Sequence, residues 1–291
     1  MSYLTDHAED LFARSEYEPL HTSFLSPAEQ REIFDALPAA RSRLVFWGGA
    51  LGAERRCAFF IPEWMLDAAA DADVPSTLAD VSPASGAPIL SSLSSLGAFS
   101  DEREIAAAIL DADGSLSGDD LALVRIEGSG FSTLGHRDYM GAILNLGIRR
   151  ETLGDIAVLG GSACEAYCTG AAARLIETEL KRIGRDAVKV TLGAIVPGAR
   201  IEREFAELAV NVASLRLDCV VGEVVPASRE AAKRLIASGA VEVDHREETN
   251  ADARVAAGMT LSVRGTGKFR VGEILGETKK GRLRVRIFKY V

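Results

Sequence analysis

The tightest constraint on the fold is the stretch from Ser214 to Val271, where two short amphipathic helices meet at a turn and run into small strands. Leu215, Leu217, Val220, Val221 and Val224 recur mostly three and four positions apart, which places them on one buried helical face. Pro226 is expected to stop that helix, and Ser228 to supply the N-cap oxygen of the next. Ala231, Ala232, Leu235 and Ile236 form the second buried stripe, while Arg229 and Lys233 share a different, solvated face. Gly239 falls where a helix C-terminus favours a left-handed residue, and Val241 and Val243 then alternate with charged neighbours as in a half-buried strand.

Charge is distributed to match. The net charge of -9 would argue against a polyanionic partner if it were even, but it runs from -8 over residues 1–100 through -5 over 101–199 to +4 over 200–291. An acidic body with a basic C-terminal end suits a protein that touches RNA through one face; a solvated tail is the alternative. No apolar run is long enough for a membrane span, and MSYLTDHAEDLF is acidic where a signal peptide is basic and then apolar. Cys57, Cys164, Cys168 and Cys219 form no CxxC, which fits a reducing cytoplasm. Cys164 and Cys168 read as small buried residues rather than metal ligands, and no cofactor is expected.

A chain of 291 residues holds two or three domains. Residues 1–75 read as an N-terminal α/β unit. Ser26 and Glu29 have capping-box spacing with Pro27 at the first helical position, and strands follow at Leu44–Trp47 and Cys57–Ile61. The glycine loop between those strands, from Gly48, reads as a hairpin connection or as an anion cradle, with Arg55 and Arg56 set either toward a phosphate or toward local acids. Residues 76–120 read as a linker or insertion with one acidic helix over Asp101–Asp111. DADGSLSGDD lacks the glutamate a calcium loop needs at its twelfth position, where Ala122 stands.

From Leu121 the pattern is strand, helix, two strands, helix, strand, with segments at Leu121–Ile126, His136–Leu146, Ile156–Leu159, Cys164–Cys168, Ala171–Ile183 and Ala187–Leu192. This βαββαβ order over 121–199 is that of a ferredoxin-like domain. Only Tyr167 lies on a candidate strand, so base stacking on this sheet is not expected. His136, Arg137, Arg149 and Arg150 bracket the first helix with donors, and Asp138 is placed to neutralise or orient one of them. Phosphate contact and a purely structural role both fit that arrangement. Catalysis by His136 lacks a nucleophile or second carboxylate placed by spacing.

The 210–275 run resembles the S4 RNA-binding domain, the α-L module of a ribosomal protein, pseudouridine synthases and heat-shock RNA binders. The likeness rests on RLD opening the first helix, SR opening the second, and the Gly-Ala-Val-Glu-Val exit. Asp244-His245 replaces the usual Asn-Gly turn, and Met259 the usual Asp. Across nearly the whole chain, FLSPAEQ, GGALGAERR, HRDYMGAILNLGIRRETLGDI and VASLRLD occur in the order seen in YlmH-type proteins, a bacterial family with relatives described as photosystem II S4 domain proteins.

The resemblance implies an α+β chain with an N-terminal α/β domain, a ferredoxin-like middle domain, a C-terminal S4 domain and a basic strand or tail over 276–291. It implies a non-catalytic protein that docks on structured RNA of the large ribosomal subunit, with tRNA as a further partner, in rescue of stalled translation. The expected phosphate contacts are Arg216, Ser228, Arg229 and Lys233, with Arg234 weakened by Glu230. Thr266, Lys268 and Arg270 alternate toward one side of a strand, and Lys279, Lys280, Arg282, Arg284 and Arg286 extend the basic end. Two rival readings are an RNA-modifying enzyme of the pseudouridine synthase type, whose catalytic signature the chain lacks, and a cell-division or photosynthesis-related scaffold.

Overall fold

The computed structural model describes residues 2–290 except 71–88, Phe99, Gly161, Pro197, 203–204 and Pro226, and leaves out the side chains of Ala70, Ser91 and Ser92. Helices and antiparallel sheets alternate along it. The chain divides into two compact units, Met1–Glu202 and Arg203–Val291.

The first unit opens with helix α1 (Tyr3–Arg14), capped by Ser2, and the short strand β1 (Leu20–His21). Helix α2 (Pro27–Ala36) carries the capping box expected of Ser26 and Glu29. Strands β2 (Leu44–Trp47) and β3 (Cys57–Phe60) are buried throughout and pair antiparallel, with β1 on the far edge of β3. Helices α3 (Glu63–Ala70) and α4 (Asp101–Leu110) follow. The glycine connection is thus a hairpin, yet its backbone also meets anions. Gly52 N–H donates to Glu104 Oε1 (2.6 Å), and the N–H groups of Glu54 and Arg55 donate to Asp155 (2.7 and 3.2 Å). These carboxylates belong to the chain itself.

The linker expected over 76–120 is corrected for residues 89–120; 76–88 lie outside the described residues. Leu90, Leu93, Ala106, Ala107, Ala108 and Leu110 are core, packed with Trp47, Phe59 and Ile61. A serine- and alanine-rich segment reads as linker because small residues carry little hydrophobic signal, although they suit close helix-on-sheet packing. Arg103, only 1% exposed, fastens the segment down. Its guanidinium donates to the carbonyls of Arg41 (3.2 Å), Leu44, Leu93 and Leu96 (3.1 Å), and burial lowers its pKa to about 10. The DADGSLSGDD turn closes on Asp111, which accepts from Trp47 Nε1 (2.6 Å) and Ser117 N–H (2.7 Å). Among the described residues no cluster of His, Cys, Asp and Glu could hold a metal.

The rest of the unit comprises β4 (Leu121–Gly128), α5 (His136–Leu144), β5 (Leu153–Val158), β6 (Ala163–Thr169), α6 (Gly170–Glu179), β7 (Arg182–Ile183) and β8 (Asp186–Gly193). Their sheet runs β5–β6–β4–β8–β7 with every neighbour antiparallel. Val124, Ile126, Cys164, Ala166 and Cys168 point to one face, where Tyr139, Ile143 and Ile176 of the helices cover them. The opposite face is also covered in part: Tyr167 packs with Ala50, Ala53 and Ile201. Gly49, at φ +89°, lies so close to the Tyr167 ring that a Cβ there would meet it at 2.8 Å. Glycine is required at this position for both backbone and space.

The second unit contains β9 (Phe205–Val212), α7 (Leu217–Val224), α8 (Arg229–Ala237), β10 (Val241–Val243), β11 (Arg246–Glu247), β12 (Thr260–Val263), β13 (Gly267–Glu277) and β14 (Leu283–Tyr290). They form a six-stranded sheet in the order β11–β10–β12–β13–β14–β9. Leu217, Val220, Val221, Val224, Ala232 and Ile236 seat the helices on Leu261, Phe269, Val285 and Ile287. Helix α7 ends at Val224; Pro226 lies outside the described residues. Ser228 caps α8, and Gly239 is left-handed (φ +68°), both as expected. The basic C-terminal segment is no tail: β14 pairs with β13 on one side and β9 on the other.

Asp244 and His245 link β10 to β11 with φ of +47° and +64°. Positive φ at both central residues is the geometry of a type I′ hairpin turn, which favours Asn-Gly. Asp and His thus stand in a turn whose geometry Asn-Gly would favour. Replacing His245 by Gly is expected to stabilise the second unit by about 0.5–1 kcal/mol, read as a rise in denaturant midpoint, since the left-handed strain is removed at some cost in unfolded-chain entropy. Arg103→Met should cost about 3 kcal/mol, because buried carbonyls lose their donors; a Met variant with unchanged urea midpoint would show the guanidinium to be dispensable.

Candidate nucleic-acid interface

The basic surface of the second unit is built around a carboxylate. Asp218 stands in the first turn of α7, is 0% exposed, and accepts two hydrogen bonds from Arg216 (Nε and Nη2, both 3.0 Å). Arg229, from the first turn of α8, donates its Nε to the same carboxylate at 3.1 Å. Arg216 also bridges to Asp252. Burial pushes the Asp218 carboxyl up, but the hydrogen bonds from Arg216 and Arg229 more than offset this and hold it at about 2.

Arg216 and Arg229 are therefore together on one side, but each is engaged with an acid. The Arg229 side chain is 57% exposed, and among the described residues only its Nε is engaged, so its terminal amino groups remain for an external anion. Lys233 pairs loosely with Glu230 (3.7 Å). That corrects the expectation that Glu230 holds Arg234, which instead is exposed on the next position of the helix. Ser228 Oγ accepts from Ala231 N–H (3.2 Å), an oxygen committed to capping.

On the sheet, Lys268 lies 4.9 Å from the Tyr290 ring centre, and Arg270 lies over Phe205 (4.9 Å) and Phe288 (5.1 Å). Thr266 is in the turn before β13 and half-buried, while Lys279 and Lys280 are exposed in the turn after it. Arg282 is bound to Glu223 (2.7 Å), and Arg286 to Glu207 (2.9 Å) and Glu273 (3.0 Å), so both carry less free charge than their sequence suggests. Arg284 is exposed.

In the first unit, His136 and Arg137 are exposed at the start of α5. Asp138 accepts the Gly135 N–H (2.8 Å), so its carboxylate closes the helix N-terminus. Arg149 is exposed and paired with Glu151 (3.1 Å). Arg150 departs from the expected role as a phosphate donor. Its Nη1 donates inward to the Leu153 carbonyl (2.6 Å), and burial lowers its pKa, so it braces β5 instead. Arg55 is likewise structural, donating to the carbonyls of Leu153 (2.9 Å) and Phe24 (2.8 Å), and Arg56 pairs with Glu104 (3.1 Å). Arg137 opens onto a groove of about 600 Å³ with Asn145, Lys181 and Arg182. The last two carry no sequence signal for this site, because Lys181 and Arg182 stand beyond α6, thirty-six or more positions from Asn145.

Residues 119–195 match the family model described as "Putative RNA-binding domain in YlmH". Over that span the chain is similar to the RNA-binding domain of YlmH-type proteins. A curated relative, the ribosome-associated protein quality control protein P2 of Bacillus subtilis (strain 168), is 31% identical over 159 residues, covering 53% of this chain and 60% of that protein. The YlmH-like chain thus spans under two thirds of that relative's length. A solved structure, the cell division protein ylmH from Streptococcus pneumoniae, covers 67% of this chain and 93% of its own at 15% identity and a TM-score of 0.40, a slight likeness.

The Asp218 cluster makes a pH prediction for this YlmH-like chain. A carboxyl held below its ordinary value stabilises the fold fully above about pH 4 and loses that contribution as pH falls toward about 2. Asp218→Asn should therefore flatten the acid limb of the second unit's stability between those values, and at neutral pH should cost about 2–3 kcal/mol. The measurement is a urea midpoint against pH for both proteins.

Proposed function

We propose that this chain is a non-catalytic RNA-binding protein that docks on structured RNA of the large ribosomal subunit, with tRNA as a further contact, in ribosome-associated quality control. The single observation that carries the reading is the cation set of α8, where Arg229 is anchored on the buried Asp218 and Lys233 and Arg234 follow one turn later. The family match over 119–195 and the name of the Bacillus subtilis relative support the RNA and ribosome parts. The helix pair on its sheet supports an S4-type module over 210–275, and the strand order β5–β6–β4–β8 supports a ferredoxin-like domain over 121–199.

Docking by this surface is a matter of backbone charge and shape. An A-form duplex hides its major groove, so the long cationic side chains of the helix pair reach phosphates and 2′-hydroxyls. Arg137, Lys181 and Arg182 offer a second, smaller set at the α5 groove, with His136 and Arg149 flanking it in sequence. No described helix is long and apolar enough to cross a membrane, and a cytoplasmic location follows from a ribosomal partner.

Arg229→Ala with Lys233→Ala is the test. Removing a phosphate-binding side chain should reduce the slope of log affinity against log salt by about 1, and the double variant should leave the large-subunit fraction of a sucrose gradient. Normal co-sedimentation of the folded variant would overturn the helix face as the docking surface.

A further inference from the structure

The six-stranded sheet has a core face and a second face of half-buried and exposed residues, on which Arg286 pairs with Glu207 and Glu273. Phe269, Val271, Val285 and Ile287 alternate inward. Their neighbours Lys268, Arg270, Phe288 and Tyr290 take the other face, and Phe205 of β9 joins them because Tyr290 pairs with Phe205 and Arg270 with Phe288 across the strands. The three rings pack edge to face, Phe205 lying 5.9 Å from Phe288 and 4.9 Å from Tyr290. None of the three belongs to the hydrophobic core of the unit, and each is only partly buried.

Three aromatic side chains on an outward face would ordinarily be a liability at a sheet edge, where β9 is the last strand. Here two cations lie over them, Lys268 on Tyr290 and Arg270 on the two phenylalanines. Rings with a π-face beside guanidinium and ammonium groups are the elements of a platform for unpaired bases: the bases stack and the cations meet the backbone. We propose that this face of β13, β14 and β9 is a second RNA site, one that takes unpaired nucleotides, distinct from the helix surface that meets duplex. It rests on the reading of the chain as an RNA binder and adds a substrate class to it. An acidic peptide would use the cations but has no need of the rings, so the rings decide between the two occupants.

The test uses the full chain with a labelled decauridine and a labelled hairpin duplex, read by fluorescence anisotropy. Phe288→Leu with Tyr290→Leu keeps apolar bulk and removes two rings; it should weaken decauridine about ten-fold or more and leave the duplex unchanged. Unchanged decauridine affinity in the folded variant, or an equal loss for both RNAs, overturns the proposal. If the variant does not fold, 4-thiouridine crosslinking to the wild-type chain decides. Crosslinked peptides from Phe205, Phe288 or Tyr290 support the site, and crosslinks confined elsewhere overturn it. Failure of the helix-face reading shows separately, as wild-type protein that does not bind the hairpin.

Discussion

An ionised carboxylate with no solvent exposure is tolerable only when charged donors surround it, and that constraint fixes the basic surface of the second unit. Asp218 draws Arg216 from the entry of α7 and Arg229 from the entry of α8 to one point. Two helix starts that a short turn alone would leave loosely oriented are thereby locked together. The lock has an electrostatic consequence. With Asp252 also bridged to Arg216, two guanidiniums face two carboxylates, and the centre is close to neutral. What the lock supplies is rigidity: cations held in place lose less side-chain entropy when an anion arrives. Net positive charge then has to come from Lys233, Arg234 and the strands.

What is legible in the sequence is whatever depends on local chemistry. The capping box at Ser26, the cap at Ser228, the left-handed Gly239 and the apolar stripes of α7 and α8 each need only a few neighbouring residues, and each is where spacing puts it. The destinations of long polar side chains are not legible that way. Arg55, Arg103 and Arg150 are indistinguishable in sequence from surface arginines, yet all three end on backbone carbonyls, those of Arg55 and Arg103 supplied from distant segments. Asp218 is visible within the RLD motif, but its role depends on Arg229, eleven positions away on another helix. Strand β9 is hidden for a different reason: most of its residues are exposed or half-buried, so it carries little periodic signal, and β14 alone recruits it to the sheet.

The glycine loop shows how two alternatives held open by sequence can both be realised. A hairpin and an anion cradle look exclusive, yet the hairpin's N–H groups receive Glu104 and Asp155. Gly49 also admits the Tyr167 ring, which projects from the sheet face opposite α5 and α6. In an RNA-recognition domain that face carries the stacking aromatics. Here its single strand aromatic is buried at 3% exposure beneath the loop, so the middle domain has its edges and helices to offer a polynucleotide, and its sheet is engaged within the protein.

The same pattern recurs through the first unit. Asp111 accepts the N–H groups at the end of the α4 turn, and Asp186 accepts those of Ser129 and Ser132 in the loop after β4. Together with Glu104 and Asp155, these carboxylates occupy backbone donor clusters of the kind that elsewhere receive phosphate. An abundance of acidic residues in this half is therefore partly architectural: anion-binding geometry is filled from within, and the remaining acids leave a field that disfavours a polyanion. In the second unit the arrangement is reversed, with Asp218 buried under arginines whose outer groups face solvent. Charge asymmetry and internal satisfaction act in the same direction, concentrating positive charge in the C-terminal unit.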